Sequence, residues 1–224
     1  LTQIRHSAMK FLKRSQNKDG SWGTRDRALQ ATAFSLSAFL HSGESSVSRT
    51  YGNTISNAHD WLLSAKPESL NDKLALVIAL SNYYTVNKTD STAKKVSELL
   101  SSIESKPSEI WQDLLAATRL PDEAKRPEWA MHGKQLLKKY LAETDNFEMA
   151  SLGEYLELYM TSHTKLHNDK NYHTSYRQTV LSMQAEDGHF SVTVKGNRFA
   201  ATALVVMIEA RQLHGAPNFF PHVD

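Results

Sequence analysis

The chain has 224 residues, 40% hydrophobic and 22% charged, an ordinary globular composition with enough material to bury a core. Its formal charge of +2 leaves no strong field for nucleic acid or an anionic membrane surface. With no cysteine, disulfides, thiolate nucleophiles and sulfur-ligated zinc are excluded, and 9 Gly and 6 Pro are few for a sandwich or barrel of short strands.

Apolar residues recur at helical spacing from the start. Ile4, Ala8, Phe11 and Leu12 form one stripe, Ile55, Ala58, Leu62 and Ala65 a second, Val96, Leu99, Leu100 and Ile103 a third, and Tyr176, Val180 and Met183 a fourth. Between them lie segments that are apolar on nearly every side, at 28–40, 74–80 and 200–208, as in helices buried all round. The pattern predicts an all-α chain with helices near 2–16, 26–42, 54–65, 70–85, 90–104, 107–117, 127–142, 146–161, 171–184 and 198–214. Pro107 and Pro127 suit first helical turns, Pro67 ends the helix before it, and Asp145 with Glu148 has capping-box spacing. Connections are short, so neighbouring helices should form antiparallel hairpins within one domain, residues 1–224. No apolar run approaches the roughly 18 residues of a membrane span. The chain opens on Leu1, so an upstream segment such as a signal peptide is expected to be missing, and the compartment stays open.

One hairpin occurs twice. Gln16, Asp19, Gly20 and Trp22 near the start match Gln184, Asp187, Gly188 and Phe190 near the end, in the pattern Gln-x-x-Asp-Gly-x-aromatic, offset by 168 residues. A buried helix follows each copy, beginning Gln30-Ala-Thr32 in one and Ala200-Ala-Thr202 in the other. The Asp-Gly pair supports a tight turn, the aromatic covers the hairpin end, and Gln supplies both a donor and an acceptor for groups at helix ends. These residues resemble the Q-W-type repeat of terpenoid cyclases and protein prenyltransferase β subunits, members of the α/α-toroid superfamily, whose ring the thioester domains of complement and macroglobulin proteins share. The resemblance implies an α/α toroid with inner and outer helix rings around a cavity. Here that means about five helical hairpins, against about six in a full toroid.

The chemistries of those families have no matching residues. The Asp-x-Asp-Asp acid of hopene-type cyclases and the Asp-Asp-x-x-Asp magnesium motif are absent, and both the prenyltransferase zinc site and the thioester need a cysteine. His163 and His167 stand at i, i+4 with Asp169 behind them, but Lys165 lies between them and no His-Glu-x-x-His motif exists; a solvated helix end is the better reading, so no metal or cofactor is implied. The remaining histidines, His59 among them, share no spacing. Polar residues at the starts of the inner helices are the candidate site: Arg25, Asp26, Asn71, Asp72, Asp145 and Arg198 would gather at one rim of a toroid, where they either cap helices or meet a ligand.

Three functions remain open. The first is a non-catalytic binding or scaffold domain whose cavity rim takes a protein, peptide or glycan. The second is a toroid enzyme of the cyclase-like or polysaccharide-lyase-like type, acting on a lipid or carbohydrate. The third is the helical part of a larger assembly. None of them uses nucleic acid or a transmembrane segment.

Overall fold

The computed structural model describes residues 2–24, 27–108, 111–112, 115, 118–125, 127–128, 182–190 and 198–214. The helix expected near 127–142 beyond residue 128, that near 146–161, and most of those near 107–117 and 171–184 lie outside the described residues, as do Arg25, Asp26, Asp145, His163 and His167. What is described is helical: α1 (Thr2–Arg14), α2 (Ala28–His41), α3 (Gly52–Ser64), α4 (Leu70–Val86), α5 (Asp90–Ser101) and α6 (Arg198–His214). Among the described residues the β structure is a single isolated bridge, Gln184 to Phe190.

The two kinds of segment seen in the sequence become two kinds of helix. On α1, Ile4, Ala8, Phe11 and Leu12 are buried while Lys10, Lys13 and Arg14 face water, and the two basic residues of the last turn suit the negative end of the helix dipole. The stripes of α3 and α5 are buried in the same way at Ile55, Ala58 and Leu62 and at Val96, Leu99 and Leu100, whereas Ala65 and Ile103 lie past the helix ends and are partly buried. By contrast, every residue of α2 from Ala28 to His41 except Gln30 is buried, and so is α4 from Leu74 to Tyr83. Alanine and serine supply many of these positions, which lets helix axes approach closely.

The packing follows one rule. α2 lies between α4 and α6, so the three buried helices form one row. Each half-wet helix packs on the buried helix of the preceding hairpin: α3 on α2, and α5 on α4. α1 packs on α6, although α6 is the last of the described helices. α6 therefore stands to α1 and α2 as α2 stands to α3 and α4. α2 and α4 run parallel, because Gln30 Nε2 donates to Asp72 Oδ1 at 2.9 Å near their starts and Asn82 Nδ2 donates to Ser37 Oγ at 3.2 Å further along both.

The ends of α4 show how local sequence sets boundaries. Its N-cap is Ser69, whose hydroxyl accepts the Asp72 amide while the Asp72 carboxylate accepts the Ser69 amide. The preceding helix stops at Ser64 with Ala65 extended, two residues before Pro67, which disfavours helical geometry at Lys66 and so bars the helix from running further.

No helix among the described residues is long and apolar enough to cross a membrane.

Candidate functional site

The repeated Gln-x-x-Asp-Gly-x-aromatic segments build the same corner. In the first, Asn17 N and Ser21 O are bonded, Gly20 sits at φ +93°, and the Asp19 carboxylate accepts both the amide and the hydroxyl of Ser21. In the second, Ala185 N reaches His189 O, Gly188 sits at φ +96°, and the Asp187 carboxylate accepts the amide and the ring Nδ1–H of His189. The hydrogen bonds from Ser21 hold the Asp19 carboxyl below the usual carboxylate range, with the Trp61 indole adding to them. Desolvation pushes Asp187 up, but the His189 bonds and the Arg198 charge outweigh it and its carboxyl also lies low.

Each corner is sealed to the buried helix that follows it. Trp22 N donates to Thr32 Oγ1 at 2.9 Å and Phe190 N to Thr202 Oγ1 at 3.0 Å, and each threonine in turn donates to the carbonyl four residues back. Trp22 and Phe190 are fully buried, and the Trp22 indole donates to Leu12 O at 2.7 Å.

Each corner is also docked on the next half-wet helix. Gln16 Nε2 donates to Gly20 O within its own turn and to Thr54 O on α3, both at 2.9 Å. Gln184 Nε2 donates to Gly188 O and to Ile4 O on α1, both at 3.0 Å. A methyl group added at Gly20 would stand 2.4 Å from Asn57 O, and one at Gly188 would stand 2.4 Å from Ser7 O. The paired contacts on the receiving helix, Ile4 with Thr54 and Ser7 with Asn57, are all 50 residues apart. Phe11 and Trp61 continue that spacing: one lies 5.2 Å from the His189 ring, and the other donates to Asp19. This spacing relates α1 to α3 through Ala8 and Ala58 and through Leu12 and Leu62, a signal carried by the sequence outside the Asp-Gly motif.

The expected rim residues separate into roles. Asp72 is not the N-cap but the third residue of its helix; one carboxylate serves both the capping box and the amide of Gln30, so it joins the starts of α2 and α4. Asn71 beside it is exposed. Lys73 Nζ donates to Ser102 O at 2.7 Å, closing the end of α5. Arg198 heads α6, exposed, with its guanidinium 5.7 Å from the Phe11 ring centre and 5.0 Å from that of Phe199. Phe199 lies 3.7 Å from the position a Gly23 methyl would take, and Ala31 of α2 lies 3.6 Å from it on another side, so α6 starts beside α2. Of the expected rim, the structure brings together the starts of α2 and α4, with that of α6 alongside.

A polar cluster outside the expected rim joins α3, α4 and α5. His59 is buried and stacked on Tyr83, ring centres 3.7 Å apart. Its Nδ1 lies 3.2 Å from Asp60 Oδ1 and its Nε2 2.9 Å from Thr92 Oγ1, which is 2.6 Å from Thr89 Oγ1. A carboxylate only accepts, so Nδ1 carries the proton and Nε2 accepts from the Thr92 hydroxyl. Burial pushes His59 below its ordinary value, against the opposing pull of Asp60. Acid, imidazole and hydroxyl stand in the order used for nucleophilic catalysis, but Thr92 is 0% exposed and out of reach of any substrate, so the array is a clamp between helices. The available signal was that His59 continues the buried stripe Ile55, Ala58, Leu62, a position where an imidazole needs partners.

Among the described residues no group of three or more histidines and carboxylates is placed to hold a metal ion. No family model matches the chain, and neither curated proteins nor solved structures give a match.

Proposed function

We propose that this chain is an α/α-toroid domain that works as a non-catalytic binding scaffold, taking a protein, peptide or glycan at the rim where the inner helices start. Support for the ring comes from the repeated step: α1 on α6, α3 on α2 and α5 on α4, with each Asp-Gly corner docked on the next outer helix. A step that carries the C-terminal corner and α6 onto the first helix is what a curled chain requires.

One observation carries the binding reading. The bodies of α2 and α4 are buried on every side, and their starting turns are where Gln30, Asn71, Asp72 and Lys73 reach solvent, with Arg198 close by at the head of α6. These groups donate and accept hydrogen bonds, as recognition of a polar ligand needs. The ionised groups among them already serve the fold: Asp72 holds a cap and Gln30, and Arg198 stacks on two rings. That suits a preorganised binding surface better than proton transfer.

The test is a screen of the intact chain on arrayed oligosaccharides and peptides, followed by titration of any hit. Asn71→Ala with Arg198→Ala should weaken a rim ligand about tenfold or more, while the lost cation–π contacts cost only about 0.5–1 kcal/mol of stability. A hit bound equally well by the double variant contradicts the rim assignment. Turnover of a screened ligand that Asp72→Ala abolishes without unfolding contradicts the non-catalytic one.

A further inference from the structure

We propose that His59 is an acid-sensitive latch that holds α5 against α3 and α4 and loosens it when the imidazole is protonated. His59 on α3 touches α4 through the Tyr83 ring and α5 through the Thr92 hydroxyl, so one side chain joins three helices. The bond to α5 requires an unprotonated Nε2, because that nitrogen accepts. Protonation turns it into a donor facing a hydroxyl whose own proton points back at it. The Thr92 hydroxyl must then reorient toward Thr89 Oγ1, which already accepts the Thr92 amide at the N-cap of α5. The disturbance therefore falls on the first turn of α5.

The groups around the ring do not stabilise the cation enough to prevent this. From α3, Asp60 is the one carboxylate in contact, and its side chain is 78% exposed, so solvent screens it. From α4 the neighbour is Tyr83, which burial holds above its ordinary value and therefore neutral. From α5 the neighbours are hydroxyls; Lys94 pairs with Glu98 at 4.0 Å, Lys95 reaches Ala65 O at 3.4 Å, and Asp90 faces water. The lowered value of His59 agrees with this balance. A histidine whose folded value lies below 6.5 contributes its full share of stability above that pH, and loses it as pH falls from there through the folded value. One proton of difference allows at most about a tenfold change in local opening per pH unit.

The test is native-state hydrogen exchange on the intact chain at about pH 7.5 and about pH 5.5, expressed as protection factors so that intrinsic exchange chemistry cancels. Amides of α5 should lose about three- to tenfold in protection on acidification, and those of α1 less than about twofold. In His59→Gln, which has no group titrating in this range, the difference between α5 and α1 should vanish. Equal losses in α1 and α5 of the wild type, or a selective α5 loss that persists in His59→Gln, overturns the proposal. Should His59→Gln fail to fold, an NMR titration of the His59 ring in the wild-type chain decides: a midpoint below 6.5 supports the latch, and one at or above 6.5 overturns it.

Discussion

The Asp-Gly corner between α1 and α2 and the connection between α3 and α4 join the same kinds of helix by different means. The corner uses a glycine in left-handed geometry pressed on a neighbouring carbonyl, a glutamine bonded to two carbonyls, and an aromatic whose amide is held by a threonine. The α3–α4 connection has no Gln-x-x-Asp-Gly; it ends one helix near Pro67 and starts the next with the Ser69–Asp72 box. Its ties to neighbouring helices are single side-chain bonds, Gln30 of α2 to the Asp72 carboxylate at 2.9 Å and Lys95 Nζ of α5 to Ala65 O at 3.4 Å. The corner between α1 and α2 thus presses its own turn on a third helix, α3, whereas the plain connection reaches its neighbours only through single side chains. The difference teaches that the motif serves to lock successive hairpins together.

Substitutions can break or sharpen that contrast. The largest effect belongs to Gly20→Ala, where a left-handed backbone and a methyl group 2.4 Å from Asn57 O act together. Urea unfolding should show a loss of about 3 kcal/mol or more. Next comes Thr32→Val, which strands the buried Trp22 amide without an acceptor and should cost about 1–3 kcal/mol; Thr202→Val should do the same through Phe190. At the plain connection, Ser69→Ala removes a cap and should lower stability by about 1 kcal/mol in the same assay. Lys95→Ala is the smallest, about 0.5 kcal/mol or less, because its bond is long and half in water. A Lys95→Ala cost equal to that of Gly20→Ala would erase the proposed distinction between corner and connection.

Much of this was legible in the sequence. The buried faces of α1, α3 and α5 follow from apolar spacing, and the all-round burial of α2 and α4 from runs without a polar side. The Asp-Gly corners were visible because a tight turn demands particular residue types at fixed offsets. Contacts made by backbone atoms were not visible: Thr54 and Ile4 receive glutamine amides through their carbonyls, which any side chain leaves available. Asp72 showed the reverse problem, since its type suggested a cap or a ligand site and only the structure reveals that it serves a box and Gln30 together. His59 was hidden because its partners Tyr83 and Thr92 lie on other helices, at separations that no local pattern records.

The central claim is that the last corner docks on the first helix as the first corner docks on α3. Its most direct measurement is the cost of Gly188→Ala beside Gly20→Ala, with Gly43→Ala as the reference. Gly43 has φ +83° but nothing within 4 Å of an added methyl, so its substitution reports backbone strain alone, about 1–2 kcal/mol. The account predicts that urea unfolding will place Gly188→Ala with Gly20→Ala, at least about 1 kcal/mol more costly than Gly43→Ala. A Gly188→Ala variant no less stable than Gly43→Ala would show that Gly188 does not press on Ser7, and would contradict it.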